Sequence, residues 1–255
     1  PAAADALAAA ARSAGATIGI LVELDVGMRR TGVQTPGAAL ALAGHVAAQP
    51  GLRLDGVMFF PGHVWEKPDE QGAPLRAVDA LLGETLALWR KGGLEAPIVS
   101  GGSTPTAFQS HLVTCQTEIR PGTYVYNDMN CVTGGYGVTL DDCAARVVCT
   151  VVSDAVPGQV VVDAGTKTLT SDRCHPAPDS GHGHVVGLPG ARVARLSEEH
   201  GMVDVTRCDR TPRVGERLRI VPNHICPCVN LQDRVYWNEA GDVRPLPVDA
   251  RGKVV

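Results

Sequence analysis

The chain has 255 residues, of which 44% are hydrophobic and 20% charged, and its formal net charge is −4 at pH 7. These values are typical of a globular protein with one or two domains and exclude general disorder and fibrous repeats. A slightly acidic chain without a broad basic surface predicts no nucleic-acid partner. The sequence has neither a membrane-length apolar stretch nor an opening signal segment, which predicts a cytoplasmic protein with no membrane association and with reduced cysteines.

The first half of the chain alternates predicted helices with predicted buried strands. The helices are expected over 2–14, 36–48 and 77–89, and the strands over 18–26, 56–60 and 97–100. Strands that are apolar throughout are typical of a sheet covered on both faces. Sustained alternation with helices therefore predicts a parallel α/β architecture.

The pattern changes after about residue 133. Short β-prone runs, separated by Gly, Pro and Asp turn residues, replace the helices. They cover 147–152, 159–163, 184–187, 191–196 and 217–221. We therefore expect an α/β part over residues 1–133, followed by a mainly antiparallel β-domain over residues 134–255.

Glycine, hydroxyl and arginine residues follow the predicted strands, where a parallel barrel forms its catalytic face. Arg30 follows the first strand, and Gly101, Gly102 and Ser103 follow the third. Backbone N–H groups and hydroxyls at such a turn can bind a phosphate, although a plain tight turn has the same composition. A salt-bridged loop would explain the arginine equally well.

A second turn of this kind, Gly122-Thr123, lies between the strand-end Arg120 and Tyr124. Two such turns predict a phosphorylated cofactor or substrate. His63 follows the second strand and could lie over a planar cofactor, although an ordinary loop histidine is the commoner case.

The segment 222–230 contains His224, Cys226 and Cys228 at intervals of two. If the segment is extended, this period places all three on one face, which suits a soft divalent metal such as zinc. Two or three ligands are too few for a closed structural site, so we expect an open catalytic site completed by water or substrate. Pro227 favours an edge strand or a loop, and buried thiols beside a hydrogen-bonded histidine are the alternative.

Taken together, these segments resemble the D-threonine aldolase and D-serine dehydratase family of pyridoxal-phosphate enzymes, which share the alanine racemase type of fold. The matching segments occur in the family's order over essentially the whole chain: 25–32, 100–103, 120–124, 162–165 and 222–226. The resemblance implies a partial (β/α) barrel of the alanine racemase type followed by a mainly antiparallel β-domain. It also implies pyridoxal 5'-phosphate, zinc or another divalent metal such as manganese, a small 3-hydroxy-D-amino acid substrate and a homodimer.

The resemblance implies roles for individual residues. His63 matches a catalytic position only loosely, whereas His224 and Cys226 match the metal pair and the role of Cys228 stays open. The residues that match cofactor-binding positions are Arg30, Gly101, Gly102, Ser103, Arg120, Gly122, Thr123 and Tyr124.

One departure concerns the lysine that holds the cofactor in the family. That lysine lies on the first barrel strand, far upstream of the segment 25–27, and none of Lys67, Lys91, Lys167 and Lys253 stands in its context. Together with the start at a residue other than Met, this leads us to expect the C-terminal two-thirds of a longer protein, without the Schiff-base lysine.

The resemblance leaves two reactions open. A His-x-Cys metal pair resembles the dehydratases, which form an oxo acid and ammonia, whereas the segment 229–233 resembles the aldolases, which release glycine and an aldehyde. We expect dehydratase-like chemistry, with the aldolase as the alternative. A catalytically dead fragment that binds cofactor or metal is a further interpretation, and alanine-racemase-like activity is disfavoured because racemisation needs no metal at a 3-hydroxyl.

Overall fold

A computed structural model describes residues 1–253, and the chain divides into two compact units, the first over residues 1–122 and the second beginning at Thr123. The first unit contains α1 (Ala2–Ser13), β1 (Ile18–Glu23), α2 (Pro36–Ala47), β2 (Leu52–Met58), α3 (Gly72–Lys91), β3 (Ile98–Gly101) and β4 (Glu118–Ile119). Its strands form one parallel sheet in the order β1-β2-β3-β4. This confirms the predicted parallel α/β part.

The core of the first unit is built from strand residues that are buried together with one stripe of α3. The buried residues of α3 recur at intervals close to the helical period: Leu75, Val78, Leu82, Thr85, Leu86 and Trp89. The apolar members of this stripe pack with Val57 and Val99 of the sheet. Burial of this one apolar stripe, rather than helix propensity alone, stabilises α3.

The second unit is mainly antiparallel. It contains α4 (Met129–Thr133), β5 (Val147–Ser153), β6 (Gln159–Val162), α5 (Thr166–Leu169), β7 (His184–Val185), β8 (Arg192–Leu196), β9 (Gly201–Asp204), β10 (Arg217–Val221), α6 (Ile225–Asn230), β11 (Arg234–Glu239) and β12 (Asp242–Pro247). Six strands pair antiparallel in the order β7-β10-β5-β6-β9-β8, and β11 and β12 form a separate hairpin. The antiparallel β-domain is therefore confirmed, while its predicted border at 133/134 stays a prediction.

Some elements of the second unit were missed by the sequence analysis. They are β9, the hairpin strands β11 and β12, and the short helices α4, α5 and α6. The hairpin strands are exposed at nearly every position, so their residues lack the apolar alternation that identifies a half-buried strand. Over residues 1–253, we find no helix with the length and apolar character needed to cross a membrane.

Candidate functional site

The loop after β1 carries Arg30 and is closed by the buried side chain of Asp25. Asp25 Oδ1 accepts hydrogen bonds from the backbone N–H groups of Gly27 at 2.8 Å and Arg29 at 3.0 Å. Although burial opposes the change, these backbone bonds hold the pKa of Asp25 below its ordinary value. The Arg30 guanidinium lies over the ring of Phe60, 4.8 Å from its centroid, a cation–π contact that positions the exposed arginine.

His63 lies against this same loop. A Cβ atom at Gly27 would stand 2.6 Å from His63 Nε2, and Gly27 has a φ of +134°. Only glycine therefore allows both the turn and the close approach of the imidazole ring. The structure places the exposed His63, which follows β2, next to the loop that follows β1, as expected for neighbouring parallel strands.

Gly101 at the end of β3 is buried, as are Gly102 and Ser103 in the turn that follows it. A Cβ at Gly101 would meet the ring of Phe59 at 2.0 Å, and Gly102 has a φ of +82°. The Ser103 hydroxyl lies 3.0 Å from that of Thr106. Packing and backbone conformation thus account for both glycines, whatever the turn binds.

Thr104 in the same turn was missed by the sequence analysis. Its side chain is 8% exposed, and Thr104 Oγ1 has no hydrogen-bond partner among the described residues. A buried hydroxyl without a partner costs about 1–3 kcal/mol, which an oxygen ligand such as a phosphate would offset. Arg120 instead donates to Ser100 Oγ and, at 2.9 Å, to the Phe59 carbonyl. The turn therefore fits a phosphate group, which would accept a hydrogen bond from the Thr104 hydroxyl. The Arg120 guanidinium is instead hydrogen-bonded to other residues of the first unit.

The predicted Gly122-Thr123-Tyr124 turn falls at the junction of the two units. Gly122 ends the first unit, and Thr123 begins a 3-10 turn of the second. Tyr124 is 58% exposed, and Thr123 Oγ1 lies 3.5 Å from Cys226 Sγ. The structure thus places Thr123 beside a predicted metal ligand.

The extended conformation that would place His224, Cys226 and Cys228 on one face is wrong. Residues 225–230 form the helix α6, which begins directly after His224, and Pro227 is tolerated in its first turn. Residues two apart in a helix do not face each other. The buried Cys228 donates to the Thr168 carbonyl at 3.0 Å, and burial raises its pKa to about 11. Cys228 is therefore separated from the pair.

His224 and Cys226 contact each other directly. Their side-chain hydrogen bond, with a further contribution from Asp172 and against the effect of burial, raises the pKa of His224 to about 9. The bond from His224, supported by the Thr123 hydroxyl, holds the pKa of the Cys226 thiol below its ordinary value. At neutral pH the pair is therefore a protonated imidazole beside a thiol whose ionisation it favours.

Two carboxylates that the sequence analysis missed hold this pair in place. Asp172 Oδ2 lies 2.7 Å from His224 Nδ1. The fully buried Asp128 accepts the N–H groups of Ile225 at 3.0 Å and Cys131 at 3.1 Å. Asp172 stands 52 positions from His224, and Asp128 stands 97 positions from Ile225. A local pattern could identify Asp128 only as the N-cap of α4, and Asp172 carries no local motif.

The donor atoms of the pair suit a soft divalent ion. Within residues 1–253, no three His, Cys, Asp or Glu side chains converge in a geometry that would hold a metal ion. Imidazole and thiolate are nonetheless ligands that zinc prefers, and a carboxylate on the second nitrogen is the usual companion of a metal-binding histidine. His224 and Cys226 therefore fit a metal as two protein ligands of an open site.

Comparisons with known proteins identify the families that the two parts of the chain match. Residues 1–130 match the family described as "Alanine racemase, N-terminal domain", and residues 144–238 match the "Putative serine dehydratase domain". The chain is 31% identical to a D-threonine aldolase of Arthrobacter sp over 94% of its own length and 62% of that protein. It is 34% identical to the D-threo-3-hydroxyaspartate dehydratase of Delftia sp. (strain HT23), over 88% of its own length and 63% of that protein. The chain thus spans less than two thirds of these curated relatives.

Solved structures of D-threonine aldolase and D-threo-3-hydroxyaspartate dehydratase are also similar to this chain. The D-threonine aldolase from Filomicrobium marinum superposes with a TM-score of 0.84 at 33% identity, covering 98% of this chain and 67% of that one. A metal-free, cysteine-to-alanine variant of a D-threo-3-hydroxyaspartate dehydratase gives 0.86 at 29% identity, covering 96% and 69%. Another variant of that enzyme replaces a histidine two positions before this cysteine. The predicted fold class is confirmed, and the chain belongs to the D-threonine aldolase and D-serine dehydratase family, which has the alanine racemase type of fold.

Proposed function

We propose that this protein is a lyase that uses pyridoxal 5'-phosphate and a divalent metal to act on 3-hydroxy-D-amino acids, as a D-serine dehydratase-like enzyme. The observation that carries this proposal is the contact between His224 and Cys226, held by Asp172 on one side and Thr123 on the other. The names of the relatives refer to D-threonine and D-threo-3-hydroxyaspartate, which both carry a hydroxyl on Cβ.

The metal would be held by His224 Nε2 and Cys226 Sγ. A bound zinc or manganese ion supplies Lewis acidity to the 3-hydroxyl of the substrate, and the thiolate favours zinc. Because the hydrogen bond from His224 lowers the pKa of Cys226, this thiol loses its proton to a metal ion more readily than an ordinary cysteine. The variants of the dehydratase relative support the pair by spacing, because the histidine and the cysteine replaced in them also stand two positions apart.

The cofactor would be bound by the loops after the parallel strands. Pyridoxal phosphate, when bound, accepts electron density from bonds broken at the substrate Cα. Thr104 and the backbone of Gly102 and Ser103 would bind its phosphate, while Arg30 and His63 would contact its ring. The contacts of Arg120, Gly122 and Tyr124 with the cofactor stay predictions, as do a cytoplasmic location and a homodimer.

The His-x-Cys pair favours C–O cleavage. The dehydratase relative also has a cysteine two positions after a histidine, as the variants named above show. The aldolase reaction is the second candidate, because the segment 229–233 resembles the aldolases and two relatives named above are D-threonine aldolases.

A product assay with D-threonine, pyridoxal phosphate and zinc tests this proposal. It uses the protein from its natural start, with the 255-residue chain beside it, because the cofactor lysine is expected upstream of Glu23. We expect 2-oxobutanoate and ammonia. Glycine and acetaldehyde would establish the aldolase instead, and a protein that binds zinc but forms neither pair of products would establish the non-catalytic interpretation.

Three variants test whether product formation depends on His224 and Cys226. His224→Ala and Cys226→Ala should each abolish turnover and zinc binding, because each removes a ligand. Cys208→Ala is the matched control, since this half-buried thiol of the second unit belongs to neither proposed site. Turnover that survives in both ligand variants would exclude a metal role for the pair.

A further inference from the structure

The Asp172 carboxylate fixes the proton on the His224 ring. Its Oδ2 lies 2.7 Å from Nδ1. An ionised carboxylate only accepts hydrogen bonds, so Nδ1 must carry the proton. The protonated imidazole described above loses its Nε2 proton when a metal ion binds there, and the neutral ring that results keeps its single N–H group on Nδ1. The contact with Asp172 therefore selects the tautomer in which Nε2 can bind a metal ion.

Asp172 is itself held by the residue next to His224. The buried Asn223 donates through Nδ2 to the carbonyl of Asp172 at 3.0 Å and to that of Gly181 at 2.8 Å. The N–H group of Asp172 donates to Thr170 Oγ1 at 3.2 Å. Asn223 thus binds the backbone of Asp172, and His224 contacts the carboxylate of Asp172. The orientation of the His224 ring depends on both contacts.

The chain reaches Asp172 through a strained residue. Thr170, which follows α5, has φ +67° and ψ 173° and is 7% exposed. This region of backbone conformation is nearly restricted to glycine, and a β-branched residue there costs about 1–3 kcal/mol. Such strain persists only where the surrounding contacts fix the segment, and here it directs the chain into the loop that carries Asp172.

A second carboxylate–histidine contact in the molecule provides a contrast. Asp5 Oδ1 lies 2.6 Å from His45 Nε2, and it also accepts a hydrogen bond from Gln49. This contact joins two exposed helix surfaces of the first unit, where such pairs contribute little. Asp5 therefore serves as a matched control for the loss of a carboxylate from a histidine.

We propose that Asp172 is a positioning residue of the metal site, which holds His224 in the tautomer and orientation that present Nε2 to a divalent ion. This inference rests on the proposed metal pair. It concerns the affinity and geometry of that pair, and it needs no assumption about which bond of the substrate is cleaved.

Zinc titration of the whole chain by calorimetry tests the inference. Asp172→Asn should weaken zinc binding about 10- to 100-fold, as is usual when the partner of a metal-binding histidine is lost. Asp5→Asn should leave the affinity unchanged. In a His224→Ala background, Asp172→Asn should have no further effect on the residual affinity, because Asp172 acts through His224.

Several results would overturn it. Asp172→Asn that binds zinc like the wild type, or that weakens binding equally in the His224→Ala background, would show that Asp172 does not act through the ring. Nitrogen NMR of the zinc-loaded wild type needs no variant, and we expect the ring proton of His224 on Nδ1. A proton on Nε2 would overturn the inference while zinc binding is intact. Failure of the wild type to bind zinc at all would overturn the proposed metal pair, and this inference with it.

Discussion

The two units of the chain position their candidate residues in different ways. In the first unit, Arg30 and His63 lie in the loops after β1 and β2, and Gly101 to Ser103 lie at the end of β3. The order of parallel strands therefore places them at one edge of the sheet. In the second unit, His224 is held by a residue 52 positions away. A parallel sheet therefore assembles its candidate site through strand order, whereas the antiparallel unit needs individual side-chain contacts.

This difference predicts different responses to substitution. Damage to the sheet should unfold the first unit as a whole, because every candidate loop depends on the same strands. Loss of one contact in the second unit should change the reactivity or local stability of the metal pair while the rest of the unit stays folded.

The largest effect is expected from Gly56→Ala in β2. A Cβ at this position would stand 1.9 Å from the Ile98 carbonyl of β3, and Gly56 has a φ of +146°. The strands must separate to accept it, so the free energy of unfolding should fall by about 4 kcal/mol. Urea unfolding followed by circular dichroism measures this.

Gly83→Ala is the matched control for that change. Gly83 lies inside α3 with open space around its Cβ position. The alanine should raise stability by about 0.5–1 kcal/mol through helix propensity. If Gly56→Ala unfolds at the wild-type urea concentration, the strand pairing described for β2 and β3 is incorrect.

A smaller effect, confined to two side chains, is expected in the second unit. Cys226 is exposed and its pKa is lowered, whereas Cys228 is buried with a pKa of about 11. Because the thiolate is the reactive form, iodoacetamide at pH 7.5 should modify Cys226 about 100-fold faster than Cys228. Peptide mass spectrometry over time gives both rates.

Zinc should slow the alkylation of Cys226 alone. The buried Cys149 provides an internal reference, because burial raises its pKa to about 12. Similar rates at Cys226 and Cys228 would contradict the burial of Cys228 and the lowered pKa of Cys226. Rates unaffected by zinc would contradict the proposed role of Cys226 as a ligand.

The same contrast explains how far the sequence predicted the structure. The three helices and the first three strands of the first unit were predicted because apolar periodicity reports burial directly. The helix α6 was not, because Pro227 and the alternating Cys residues suggested an extended edge, although proline is compatible with a first helical turn. Local patterns therefore predicted the elements of the parallel unit more completely.

The candidate site was predictable only in part. Resemblance identified His224 and Cys226, and strand order explains Arg30 and His63. Asp172 and Thr104 could not be identified from the sequence. Asp172 is identified by its contact with His224, 52 positions away. Thr104 is identified by its buried hydroxyl, which has no hydrogen-bond partner among the described residues. Physical contacts of this kind exist only in the folded chain.

The smallest effect is expected from Asp128→Ala, which tests one long-range contact of the second unit. Asp128 accepts the N–H groups of Cys131 at 3.1 Å, capping α4, and of Ile225 at 3.0 Å, between the two proposed ligands. Their loss should lower stability by about 2 kcal/mol, with the burial cost of the carboxylate limiting the change. Asp142→Ala, which removes an exposed carboxylate bonded to Thr139, is the control and should cost under about 1 kcal/mol. Equal losses of stability in the two variants would show that the bond from Ile225 to Asp128 adds nothing to the local bonds of a carboxylate. The second unit would then not depend on this long-range contact.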